Sequence, residues 1–133
     1  MMRCVMLKSL HRRPGDDAED YLSWLSESFG LAKGRDTEGT LQRVLKTVLQ
    51  RAKGREGVRV EDVAQELGVA AQRVNYHVRY LIDAGLLVRE RRRLFLRQGS
   101  LSAAVEEMQK DAERFFERMK EAAKHIDETF SLE

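Results

Sequence analysis

The chain has little of several things, and each shortage excludes something. It carries one cysteine, Cys4, so a single copy can build neither a disulfide framework nor a cysteine-clustered zinc site. No apolar run approaches the roughly 18 residues of a membrane span, which predicts a soluble protein with no membrane partner, and sparse cysteine suits a reducing cytoplasm. The opening MMRCVMLKSLHRRPGDD has basic residues and a brief apolar run. Lys8 interrupts that run and no small-residue cleavage site follows, so a secretion signal is not expected. There is no glycine-rich phosphate loop, no metal-ligand cluster, and no nucleophile set beside a base. Catalysis, a cofactor and a bound metal are therefore not expected. At 133 residues the chain has room for one core with extensions.

Net charge is only +2, but it is unevenly spread. Residues 1–39 hold 6 basic and 7 acidic side chains, and residues 40–69 hold 6 and 4. Residues 70–98 hold 7 and 2, a net +5, whereas residues 99–133 hold 5 and 9, a net −4. A basic block of this kind beside an acidic one points to a surface aimed at a polyanion; the plainer alternative is a solvated charged face.

Apolar spacing divides the chain further. Ala18, Leu22, Leu25 and Phe29 recur at helical spacing behind the acids of DDAED, and residues 30–39 read as a connector. Thr37 is a candidate cap for a second helix, whose buried face is Leu41, Val44, Leu45, Val48, Leu49 and Ala52, with Gly54 as its stop. Two short helices follow. One buries Val63, Ala64 and Leu67 and ends at Gly68; the other buries Val74, Val78 and Leu81 and ends at Gly85. Ala64 lets the second pass close, Gly68 supplies a left-handed turn, and Val69 tucks beneath it, which are the demands of a helix-turn-helix. Strand-like runs at 87–90 and 93–97 flank Arg91 and Arg92 as a basic hairpin. From Leu101 to Phe130 no glycine or proline interrupts what should be one helix of about 45 Å.

The segment RVNYHVRYLIDAGLL places Val74, His77, Val78, Leu81, Ala84, Gly85 and Leu86 on the pattern V-x-x-H-L-x-x-L-x-x-A-G-L. With the hairpin behind it, the stretch from about residue 40 to 98 resembles the winged-helix transcription regulators of the ArsR and MarR-like groups. The resemblance implies a mostly α fold with a small β-hairpin wing: a winged helix-turn-helix over 40–98, an N-terminal helical extension over 1–39, and a C-terminal dimerisation helix over 99–133. It also implies that the second helix of the motif enters the major groove of double-stranded DNA while the wing meets backbone or minor groove. The sequence departs from the pattern in three places. Ala70 and Ala71 stand where Ser or Thr commonly caps. The wing tip lacks glycine, so a short, wide or bent wing is expected. The cysteine ligands of metal-sensing relatives are missing, which argues against metal sensing.

At 100° per residue, Gln72, Tyr76 and Arg79 point away from the buried face, with Arg73, Asn75 and Tyr80 at its flanks. Amides suit adenine, arginine suits guanine, and tyrosine offers a hydroxyl and a ring for a thymine methyl. Arg89, Arg91, Arg92, Arg93 and Arg97 would line the hairpin, anchored by Leu94 and Leu96 on one face and Phe95 on the other, with backbone phosphate as their partner.

Along the last helix Leu101, Val105, Met108, Ala112, Phe115, Met119, Ala122 and Ile126 alternate at spacings of 4 and 3. That seam predicts a homodimer reading an imperfect palindrome, or else a helix covering its own domain. His125 and Glu128 form H-x-x-E with no second histidine on the helix, so His125 is read as structural or solvent-facing; His77, at the rim of a buried face, is read as packing or contacting phosphate rather than binding metal. The function expected is that of a sequence-specific regulator, most naturally a repressor. A winged-helix interaction module and an RNA-binding protein are the other readings. Nothing in the residues identifies an effector.

Overall fold

The computed structural model describes residues 16–28, 39–54 and 56–132. Its helices are α1 (Ala18–Ser28), α2 (Thr40–Arg51), α3 (Val60–Leu67), α4 (Ala71–Ala84) and α5 (Leu101–Thr129), with strands β1 (Leu87–Glu90) and β2 (Arg93–Leu96) between α4 and α5. Cys4, Phe29 and Thr37, singled out above, lie outside the described residues.

Helix α1 starts where the Asp17 carboxylate accepts the Asp20 amide at 2.8 Å. It lays Leu22 and Ser26 on α2, and the Ser26 hydroxyl is satisfied by the Leu22 carbonyl at 2.9 Å. Lys46 of α2 pairs with Glu19 across this contact. The N-cap of α2 is Gly39 at φ 66°, so the cap falls two residues after Thr37. Thr40 is thereby drawn into the interior, where it serves another purpose described below.

The core follows the expected spacings. Leu41, Val44, Leu45 and Val48 of α2, Val63 and Ala64 of α3, and Val74, Val78, Leu81 and Ala84 of α4 are all buried in one cluster. Between α3 and α4 the chain turns at Gly68 (φ 67°), and the Val69 amide donates to the Ala64 carbonyl at 3.1 Å. Gly85 (φ 94°) ends α4 in the same way, with the Leu86 amide donating to the Leu81 carbonyl. His77 joins the buried face of α4.

The two strands are antiparallel, pairing Leu87 with Leu96, Val88 with Phe95, Arg89 with Leu94 and Glu90 with Arg93. Helix-turn-helix followed by this hairpin is a winged helix. The wing is short but neither wide nor open at its tip: Arg91 (φ 51°) and Arg92 (φ 67°) close a two-residue turn although neither is glycine. Left-handed backbone at each arginine costs roughly 1–2 kcal/mol. Tertiary contacts offset this. Leu87 and Leu94 are fully buried, and Val58, just before α3, exchanges two backbone hydrogen bonds of 2.8 Å with Leu94 as a third, single-residue partner.

That added pairing brings Gly57 hard against the wing. Its φ is 80°, and a Cβ there would stand 2.6 Å from Phe95 Cζ and 2.7 Å from Arg93 Cβ. Gly57→Ala should therefore destabilise the domain by about 2 kcal/mol or more, measurable as a lower urea midpoint. An unchanged midpoint would mean that the wing does not rest on this residue.

Candidate nucleic-acid interface

Five of the six side chains on the outer face of α4 are exposed: Gln72, Arg73, Tyr76, Arg79 and Tyr80; Asn75 is half-buried. Tyr76 and Tyr80, one helical turn apart, meet edge to face with ring centroids 5.3 Å apart and hydroxyls 3.3 Å apart. Tyr76 also meets, edge to face at 5.2 Å, the ring of His77, a residue of the buried face of the same helix. These contacts hold two half-exposed phenols in a fixed attitude.

The helix and the wing are joined by a side-chain hydrogen bond. Arg89 Nη2 donates to Asn75 Oδ1 at 3.1 Å. In the register of the hairpin, Arg89 shares a face with Leu87, Leu94 and Leu96, the face turned toward α4. Gln72, Asn75, Tyr76, Arg79, Ile82 and Arg89 together line one concavity of about 580 Å³, with no carboxylate among them. Ile82 had not been anticipated; the helical wheel puts it close to the core side, and only the approach of the wing gives it a place on this surface.

The remaining arginines divide three ways. Arg91 and Arg92 project from the wing tip and are exposed. Arg93 lies on the opposite face of the hairpin, where it lines a second concavity of about 520 Å³ with Glu56, Glu90, Arg91 and Phe95. Arg73 turns back, its Nη2 donating to Thr40 Oγ1 at 3.0 Å. Since Ala70 caps α4 with no side-chain hydrogen bond, this tie to α2 holds the first turn that a Ser or Thr cap would otherwise fix.

Arg97 does not belong with the wing arginines. The 3₁₀ turn Arg97–Gly99 swings it away from the strand and onto α5, where it lies 2.8 Å from Asp111 and 4.0 Å from Glu107. Its side chain is only 13% exposed and that of Asp111 8%. It is a tether between wing and long helix. Arg97→Met should cost about 1–3 kcal/mol of stability, because it removes from the nearly buried Asp111 carboxylate an ionic contact of 2.8 Å. Its salt-dependent affinity for any polyanion should stay as in the parent, which a titration at several salt concentrations would check.

Helix α5 opens at Ser100, whose hydroxyl accepts the Ala103 amide at 3.1 Å. Its heptad seam has two fates. Met108 is buried in the domain's own core, with Leu101 and Val105 packed against that core and Ala112 half-buried. Beyond residue 112 every described side chain except Asp127 is exposed, Phe115, Met119, Ala122 and Ile126 included. Phe116, Phe130 and Leu132, outside the seam, are exposed as well. Tyr21, Leu25, Leu49 and Leu101 line a third, apolar concavity of about 590 Å³ between α1, α2 and the start of α5. Among the described residues no group of three or more His, Cys, Asp or Glu side chains could hold a metal ion, and no helix is long and apolar enough to cross a membrane.

A hairpin wing hydrogen-bonded to the exposed helix of a helix-turn-helix defines the class: a winged-helix domain. A family model described as MarR family matches residues 47–93, from within α2 to the first residue of β2. That match supports a DNA-binding transcription regulator of the MarR type and lends nothing to the ArsR side of the resemblance. Comparison with curated proteins and with solved structures finds no match.

Proposed function

We propose that the protein is a homodimeric, sequence-specific DNA-binding regulator that represses by occupying a promoter. The observation that carries this reading is the common opening of α4 and the wing onto one donor-rich concavity, sealed by the Arg89–Asn75 hydrogen bond. In this reading α4 lies in the major groove, where Gln72, Asn75, Tyr76, Arg79 and Tyr80 face base edges. Arg73 sets the pitch of the helix through Thr40. Arg91 and Arg92 bind backbone phosphates from the wing tip, Arg89 closes the gap between wing and helix, and Arg93 meets the backbone from the outer side of the hairpin.

Two copies pair through the protruding half of α5, by Ala112, Phe115, Met119, Ala122 and Ile126, while Leu101, Val105 and Met108 root the helix in its own domain. A two-fold pair presents two α4 helices to half-sites about 10 base pairs apart, centre to centre. Selection of duplexes from a random library tests this: an inverted repeat should be enriched, and its binding should survive excess random DNA. Enrichment of nothing, or preference for RNA over duplex DNA, would refute it in favour of an interaction module or an RNA binder.

A further inference from the structure

We infer that Asn75 and Arg89 act as one unit that selects guanine over adenine at a single position of each half-site. This rests on the DNA-binding reading above and goes beyond it, since an isolated asparagine on a recognition helix would be expected to favour adenine.

The difference lies in what each group can still offer. Asparagine reads adenine with both ends of its amide, Oδ1 accepting from the N6 amino group while Nδ2 donates to N7. A guanidinium carries only donors, so the amide atom it meets must be the oxygen, and the direction of the Asn75 amide is thereby fixed. Arg89 Nη2 already donates to that oxygen at 3.1 Å. The N6 amino group of an adenine would have to approach the same oxygen past a positively charged donor. Oδ1 keeps a second lone pair, but it is crowded by the guanidinium; the groups Asn75 offers freely are the two N–H groups of Nδ2, and Arg89 adds the guanidinium N–H groups not spent on Asn75.

Such a pair presents mainly donors. The major-groove edge of guanine presents N7 and O6, both acceptors, and matches it. Adenine and cytosine each place an amino donor there, and thymine offers one acceptor, O4, beside its methyl group. The rest of the concavity is mixed, since the Gln72 amide and the Tyr76 hydroxyl can accept as well as donate, but it carries no negative charge. Arg79 is a second guanidinium on its wall, and no lining side chain carries a carboxylate that would accept from cytosine N4. Arg89 is therefore a specificity-determining residue supplied by the wing, acting on a base through its neighbour on α4.

The test uses the duplex selected by the wild-type chain and variants of it with each half-site position changed in turn among G·C, C·G, A·T and T·A. Affinities are measured by fluorescence anisotropy for wild type, Arg89→Met and Asn75→Ala. Both side chains lie at the surface or close to it, and thermal melting confirms that each variant is folded. Removing the Arg89 charge lowers affinity for every duplex alike, so the readout is the ratio of affinities at one position. In the wild type one position should prefer guanine over adenine by roughly 5- to 100-fold. Arg89→Met should shift that same position toward adenine and leave the others as they were; Asn75→Ala should flatten it. A guanine preference that survives Arg89→Met unchanged, or a change at some other position only, would overturn the inference while leaving the DNA-binding reading intact. A wild-type chain with no base preference at any position would overturn both.

Discussion

Replacing Phe115 and Met119 together by glutamate should halve the mass of the protein in solution to the 15.4 kDa of a single chain. In one protomer these side chains are 59% and 48% exposed, so the double substitution removes nothing from the core and should leave the melting temperature of the domain within a few degrees of its former value. In a pair of helices the same residues lie in the seam, where burying a phenylalanine or methionine contributes about 1.5–3 kcal/mol. Four carboxylates brought into that seam would each have to shed water and would repel one another across it. The consequence for DNA is larger than for mass. A dimer binds its second half-site intramolecularly, and losing that advantage should weaken binding to an inverted repeat by about 100- to 10,000-fold while affinity for a lone half-site barely changes. Light scattering that shows the double variant still dimeric would place the contact elsewhere, and a wild-type monomer at micromolar concentration would remove the dimer from the account.

Arg91→Asn combined with Arg92→Gly should make the protein more stable and a weaker binder at once. Asparagine followed by glycine is the pair that a two-residue turn with two positive φ values favours, and it relieves the backbone at φ 51° and 67°. The domain should gain about 1–3 kcal/mol, seen as a higher urea midpoint at unchanged slope. Both guanidinium groups are lost in the same step. Affinity should fall equally for selected and random duplexes, and the slope of log affinity against log salt should flatten by about 0.9 for each phosphate given up, hence by about 3–4 in a dimer. The opposite signs of the two readouts matter, because a variant that binds poorly through misfolding would lose stability as well. A salt slope equal to that of the parent would remove the wing tip from the interface.

The strain at that tip marks where local rules stop being informative. The buried faces of α2, α3 and α4 could be read from spacing alone, because Val44, Val48, Val63, Val74, Val78 and Leu81 repeat with the period of a helix and Gly68 and Gly85 stand at its ends. The hairpin was legible from alternation. So was the place of its turn at Arg91 and Arg92; the tightness of that turn was not, since Arg-Arg has the wrong local preference and is held closed by Val58 and by the burial of Leu87 and Leu94, none of which a turn propensity contains.

Charge was legible as a block and not residue by residue. Arg97 looks like its four neighbours in LLVRERRRLFLRQ until α5 sets Asp111 beside it, and nothing local shows that Arg73, a candidate reader, also donates to Thr40, 33 positions away. The periodicity of α5 likewise continues unchanged from Leu101 to Ile126. What changes at Ala112 is the neighbour, because the domain ends there and the helix does not. Period reports that a face is to be covered; only the fold shows what lies across from it.

The most direct measurement is amide hydrogen exchange of the full chain with and without a saturating duplex. Protection on binding should concentrate in residues 71–82 of α4 and 87–96 of the wing, with residues 113–129 of α5 exchanging as they do in the free dimer. Protection confined to α5 or to α1, with α4 and the wing unaltered, would contradict the assignment of the DNA-binding face and the account built on it.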